Sequence, residues 1–140
     1  MIYKKSWKYI LIKCNYFYYN LKAIKDFGNV SKGDVGGFVK GYRNLSQSGN
    51  CWVYDYAIVS DNARVCEHAR VSENACINGH SQIYGYAKIS GDTTISGNVK
   101  IRGNAVVTDK ATVSEDAIVC GNAKVSGHAK VCGHTYVFKC

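Results

Sequence analysis

The side chains of this chain best suited to chemistry are four histidines, seven cysteines and eighteen lysines and arginines. A histidine can act as a base or metal ligand near neutral pH, a thiolate as a nucleophile or ligand, and a basic side chain as an anion holder. Spacing separates these options. His68, His80, His128 and His134 all occupy one slot of a six-residue repeat, a slot that asparagine fills at Asn62, Asn74, Asn98, Asn104 and Asn122. A turn role therefore explains them without catalysis or metal binding. The cysteines, at 14, 51, 66, 76, 120, 132 and 140, are odd in number and contain no C-x-x-C pair. That pattern fits reduced intracellular thiols better than a disulfide framework. The segment Gly33-Asp34-Val35-Gly36-Gly37 lacks the G-x-x-x-x-G-K-[ST] spacing of a phosphate loop and reads as a glycine-rich turn. No catalytic residue, metal or cofactor is expected.

Positive charge is the remaining chemical resource. The net charge is +8, and residues 1 to 50 hold nine Lys/Arg against Asp26 and Asp34, while the rest of the chain holds nine against eight acids. Three groups can meet an anion: Lys4, Lys5, Lys8 and Lys13 near the start; Arg64, Tyr84, Lys100 and Arg102; and Arg70, Lys88 and Lys124. A nucleotide, a nucleic acid or an acidic protein are all candidate partners, because charge attracts each of them.

The elements that position these residues follow from a period of six. A β-branched residue stands at every sixth position from Val53 through Val59, Val65, Val71, Ile77, Ile83, Ile89, Ile95, Ile101, Val107, Val113, Val119, Val125 and Val131 to Val137. Two residues before each later member is a small one, alanine in ten of fourteen cases. Residues two apart share a side of a strand, so the large and small residues point inward together and the residues between repeats make corners. The first corner slot is Gly in eight repeats and Asp or Glu in six, and the second is usually Asn or His. Gly and Asn tolerate the left-handed backbone of a tight corner. A period of six matches neither a helix nor a hairpin series. The fold class is all-β: a parallel β-helix over residues 53–140, three hexads to a coil, about five triangular coils and on the order of 24 Å tall at a strand spacing of about 4.8 Å.

This register assigns surfaces. The second face carries Ile58, Ser60, Cys76, Asn78, Thr94, Ser96, Thr112, Ser114, Lys130 and Cys132, and is flat and nearly uncharged. The third presents Arg64, Gln82, Tyr84, Lys100 and Arg102; the first stacks Arg70, Lys88, Val106 and Lys124. A homo-oligomer is expected, a trimer through faces built on Thr94, Ser96, Thr112 and Ser114 or a dimer through the last coil at Tyr136, Val137 and Phe138.

Residues 1–52 read as a basic, tyrosine-rich β cap over the first coil, with strands over 8–13 and 16–24, a glycine-rich turn over 32–39, and Trp52 and Phe38 as covers. No apolar run approaches the roughly 20 residues of a membrane span, and the start lacks a cleavage signal. A cytoplasmic protein without a membrane contact is expected.

The sequence Asp26-Phe27-Gly28, then Gly33-Asp34-Val35-Gly36-Gly37-Phe38, then Asn44-Leu45-Ser46-Gln47 and Gly49-Asn50-Cys51-Trp52-Val53 leading into the hexads, resembles hexapeptide-repeat proteins of bacteriophages and prophages. The resemblance covers about residues 20 to 137 and implies left-handed winding. Some such proteins are thought to blunt bacterial immunity by binding a nucleotide signal or an effector; others are labelled transferases on fold alone. Acyltransferases of this fold use a histidine near a loop that interrupts the helix, and no hexad here is interrupted. Carbonic anhydrases of this fold hold zinc with histidines across a trimer interface, and the adjacent corners of His128 and His134 supply too few ligands. The expectation is a non-catalytic phage-type protein that captures an anionic partner (nucleotide signal, RNA-containing or other effector) and inhibits a bacterial anti-phage defence system, acting in the host cytoplasm. The alternatives are a small acyltransferase with an intersubunit site and a structural scaffold component.

Overall fold

The computed structural model describes residues 6–140. Lys4 and Lys5 therefore lie outside the described residues. Three sheets wind round one apolar interior. The first contains Trp52–Val53, Arg70–Val71, Lys88–Ile89, Val106–Val107 and Lys124–Val125 in spatial order. The third contains Arg64–Val65, Gln82–Ile83, Lys100–Ile101, Ile118–Gly121 and Tyr136–Lys139. Neighbouring strands are parallel, and each residue pairs with the one eighteen further on, as Lys88 does with Val106 and Ile95 with Val113. This is the register that the β-branched ladder dictates, since a shift of one residue would turn every Val and Ile outward.

The second sheet is longer. It runs from β1 (Tyr9–Lys13) through β2 (Tyr19–Ala23) and β3 (Val35–Val39) to Ile58–Val59, Cys76–Ile77, Thr94–Ile95, Thr112–Val113 and Lys130–Val131. β1 and β2 form an antiparallel hairpin with Tyr9 opposite Ala23, and β3 joins β2 antiparallel and the first hexad strand parallel. Two corrections follow. The segment 32–39 is not a single turn, because its second half is β3. Gly36 and Gly37 are there for close approach: a Cβ would meet the Val53 carbonyl oxygen at 2.5 Å from Gly36 and the Ala57 carbonyl oxygen at 2.6 Å from Gly37. The solenoid also has about six turns, not five. Val39 pairs with Val59 and Leu45 bridges Val65, so both stand in the inward ladder, six residues apart. Leu45 and Val53 are then eight apart, which hides this turn from a strict period of six.

The corners hold another difference. Left-handed backbone occurs at the first corner slot, including the non-glycine residues Asp55, Asp61, Glu67, Glu73, Asp109 and Glu115 with φ of 54–63°, and not at the second slot of Asn and His. Such a conformation costs roughly 1–2 kcal/mol outside glycine. Five of these six acids offset it by reaching along the solenoid. Asp55 accepts from the Glu73 N–H at 3.1 Å, Asp61 from Gly79 at 3.1 Å, Glu67 from Gly85 at 2.9 Å, Glu73 from Gly91 at 3.2 Å and Asp109 from Gly127 at 2.8 Å. Exposed to solvent, such a bond contributes up to about 1 kcal/mol, of the same order as the strain.

The N-terminal aromatic residues pack on the first coils and share their core. Tyr9, Leu21 and Trp52 belong to the same buried cluster as the Val/Ile ladders. Phe27 packs edge-on against Trp52 at 5.3 Å, and Tyr9 stacks on Tyr42 at 5.7 Å. The Tyr9 hydroxyl donates to the Leu45 carbonyl. Burial, with Cys51 and Tyr42 adding, pushes the Tyr9 phenol well above its ordinary 10.0. The folded chain keeps a proton that the unfolded chain releases above pH 10, so this contribution is intact below that pH. It is lost as pH rises further, by up to about 1.4 kcal/mol per pH unit. Tyr9→Phe should remove this share of alkaline sensitivity and cost about 1 kcal/mol at neutral pH. Denaturant midpoints between roughly pH 7 and 11 check it; equal slopes for the two proteins above pH 10 would contradict it.

Among the described residues no helix is long and apolar enough to cross a membrane.

Candidate anion-binding face

Each strand of the first sheet has its inward Val or Ile flanked by two outward positions. One column of outward residues is Trp52, Arg70, Lys88, Val106 and Lys124, and the neighbouring column is Tyr54, Ser72, Ser90, Thr108 and Ser126. A cationic column thus runs beside a hydroxyl column, with Ser90 and Thr108 in hydrogen-bond contact at 3.0 Å.

Arg70 and Lys88 are register partners in adjacent strands, so their backbones are about 4.8 Å apart. Like charges directly opposite destabilise a sheet. Among the described residues neither cation has an acidic partner, the observed ion pair being His134 with Asp116 at 3.7 Å. Arg70 is held instead by a neutral group. With the Asn29 amide oriented to suit its neighbour, its oxygen accepts from both terminal guanidinium nitrogens at 3.2 and 3.3 Å. Asn29 reaches this position because the Phe27–Val30 bridge closes a tight turn over the first face.

Two cavities flank this cation pair. One, of about 370 Å³, is lined by Asn29, Tyr54, Asp55, Arg70, Ser72, Lys88 and Ser90. The other, of about 230 Å³, is lined by Asn50, His68, Arg70, Tyr86 and Lys88. His68 and Tyr86 stack face to face in the second cavity, with ring centroids 4.8 Å apart and planes 12° from parallel. In the first, partial burial pushes the Tyr54 phenol above its ordinary value, the Arg70 charge opposing, so the hydroxyl stays a neutral donor. An anion seated on Arg70 and Lys88 would relieve their mutual repulsion and meet hydroxyl donors beside them.

The other anticipated residues are dispersed. Lys124 lies on the same face, but Val106 separates it from Lys88. Arg64 and Lys100 belong to the third sheet, with Tyr84 and Arg102 just past the ends of its strands, and Gln82 stands between Arg64 and Lys100. The two stripes are therefore on different faces. Lys13 is exposed, with its ammonium 5.9 Å from the Tyr16 ring. Lys8 is a correction: its side chain is 1% exposed and unavailable to a partner. Its ammonium donates to the carbonyls of Gly49 at 3.1 Å and Cys51 at 2.7 Å and to the Cys51 sulfur at 3.3 Å, above the Phe27 ring. Burial lowers the Lys8 pKa, with the adjacent Cys51 opposing the shift. Lys8 anchors the N-terminal strand to the first coil.

Thr94 and Thr112 stack in register on the second face, next to Ser96 and Ser114. Tyr136 and Phe138 are exposed on the last coil, and Val137 between them is half-buried. The four histidines occupy corner turns, and among the described residues no group of three or more His, Cys, Asp and Glu can hold a metal.

Several residues of the face were not anticipated. His68 and Tyr86 are eighteen apart, so their stacking was readable from the register, and so was the hydroxyl column. Asn29 was not, since it stands in a turn without a repeat. No family model matches the chain, and no curated protein matches it.

Proposed function

We propose that the protein is a non-catalytic binding protein that captures an anionic, phosphate-bearing ligand on its first face, with Arg70 and Lys88 as the principal partners. The observation that carries this reading is the register pairing of two cations without acidic partners, one of them oriented by Asn29, between two cavities. Retaining such a pair costs folding energy, and a bound anion recovers it. His68 stacks on Tyr86 beside the two cations. The resemblance to phage-borne hexapeptide-repeat proteins supplies the biological context: sequestration of a nucleotide signal, or of an anionic effector, of a bacterial defence system.

Calorimetric titration with inorganic pyrophosphate over a series of salt concentrations tests the proposal. Binding should be measurable at low salt and weaken as salt rises, because the cations are open to solvent. No binding at low salt, or an affinity indifferent to salt, would overturn it.

A further inference from the structure

We propose that the N-terminal hairpin and the sheet surface beside it dock on an anionic lipid bilayer, with the aromatic tip of the hairpin seated among the headgroups. This surface is separate from the cations of the first face and does not depend on the anion-capture reading.

The tip is the turn between β1 and β2. Tyr16 is 91% exposed there and Phe17 65%, with their ring centroids 6.0 Å apart. The turn holds both in a fixed frame. The Asn15 side chain accepts from the Phe17 and Tyr18 N–H groups at 2.8 and 3.0 Å, and the Tyr18 carbonyl accepts from Cys14 and Asn15 at 3.1 and 3.3 Å. These donors are satisfied within the turn, so it can leave bulk water without orphaning them. Its rigidity lowers the entropy cost of docking. The apolar surface continues onto the sheet, where Ile12 stands opposite Asn20 and Val35 opposite Lys22; Ile12 is 42% exposed and Val35 63%.

Positive charge surrounds this surface. The Lys13 ammonium lies 5.9 Å from the Tyr16 ring, and that of Lys40 lies 5.6 Å from Phe17 and 5.0 Å from Tyr18. Among the described residues none of Lys13, Lys22 and Lys40 makes an ion pair. Asp26 and Asp34, the two acids of the first fifty residues, lie in the β2–β3 connection, at the opposite end of the strands from the tip.

The side-chain types decide which anionic partner fits. The three cations are lysines, which carry point charges without the fixed fork of arginine. Protein interfaces enrich Arg and deplete Lys, whereas a fluid layer of anionic headgroups accepts mobile ammonium groups, and Tyr beside Lys suits the membrane–water boundary. Single-stranded nucleic acid stacks its bases on open ring faces; here lysines lie over Tyr16, Phe17 and Tyr18, and the two tip rings are tilted 54° from each other. A symmetric contact between two copies would bring these lysines together without acids. The residues are drawn from three strands and a turn, so no apolar run marks the surface, and the expectation of no membrane contact rested on such runs.

Cosedimentation of the full chain with phosphatidylcholine vesicles, with and without phosphatidylglycerol, tests the proposal. Binding should require the anionic lipid. Lys13→Gln with Lys40→Gln should weaken it about fivefold for each charge removed. Lys110→Gln with Lys130→Gln makes the same loss of charge several coils away and should weaken it about twofold at most. Tyr16→Ser with Phe17→Ser should weaken it about tenfold or more. Tyr16→Trp keeps an interfacial ring and should bind as the wild type does, with a blue shift of its emission, beyond any in the wild type, when vesicles are added. All these side chains point into solvent, so each variant should keep the wild-type melt and its pyrophosphate binding. No binding to anionic vesicles, equal binding to neutral ones, or binding that survives both the tip and the Lys13/Lys40 substitutions would overturn the proposal. A single-stranded oligothymidylate is run beside the vesicles. Tip-dependent binding to it, with none to vesicles, would also overturn the proposal and assign the surface to nucleic acid.

Discussion

Ile95→Asp will abolish the native fold. Ile95 is fully buried and lies in the inward ladder between Ile77 and Val113. The interior around it is built mainly from Val, Ile and Ala, and its buried hydroxyls, Ser81 and Thr93, are neutral, so a carboxylate there would have no cationic partner. An unpaired buried charge costs several kcal/mol, and the lost isoleucine packing adds about 2–5 kcal/mol. The total approaches or exceeds the roughly 5–15 kcal/mol that holds a typical domain together. A solenoid coil is stabilised by the coils above and below, so a defect in a middle coil unpairs both sides. Thr94→Asp, one residue away and pointing outward, should change stability by no more than about 0.5 kcal/mol. Circular dichroism and thermal melting distinguish the two variants. A β-type spectrum with a cooperative melt in Ile95→Asp would contradict the inward register.

That register was legible because the inward ladder repeats in every hexad and depends on little but its neighbours. From it came the three faces, the corner positions and the stacking of Arg70, Lys88, Val106 and Lys124. What escaped had non-repeating causes. The turn formed by Val39 and Leu45 was hidden by the eight-residue step to Val53. The strand Val35–Val39 was hidden by glycines whose reason is the closeness of the Val53 and Ala57 carbonyls. Five of the six acids at left-handed corners make sense once their bonds to the next coil are seen, since Asp and Glu alone would be poor choices for that backbone. Lys8 looked like any surface lysine, and only the folded path of the chain shows carbonyls of Gly49 and Cys51 waiting for it. Asn29 orients Arg70 from a turn that no period describes.

The anion reading stands or falls with the two cations of the first face. Arg70→Glu with Lys88→Glu turns two attractions into two repulsions. A unit charge pair at about 4 Å is worth roughly 4 kcal/mol at an effective dielectric of about 20, and less where solvent screens it. Even at a quarter of that value per contact, two reversals weaken binding by more than about a hundredfold. The control is Arg64→Glu with Arg102→Glu, which makes the same change in net charge on the third face. Lys88 is exposed and Arg70 half-buried on the outer side of the sheet, so both double variants should keep the wild-type melt. Pyrophosphate affinity of the two double variants, measured side by side at low salt, is the direct test. Loss of binding in the first-face variant with near wild-type affinity in the third-face variant is the expected result; equal losses in both, or retained binding after reversal of Arg70 and Lys88, would contradict the account.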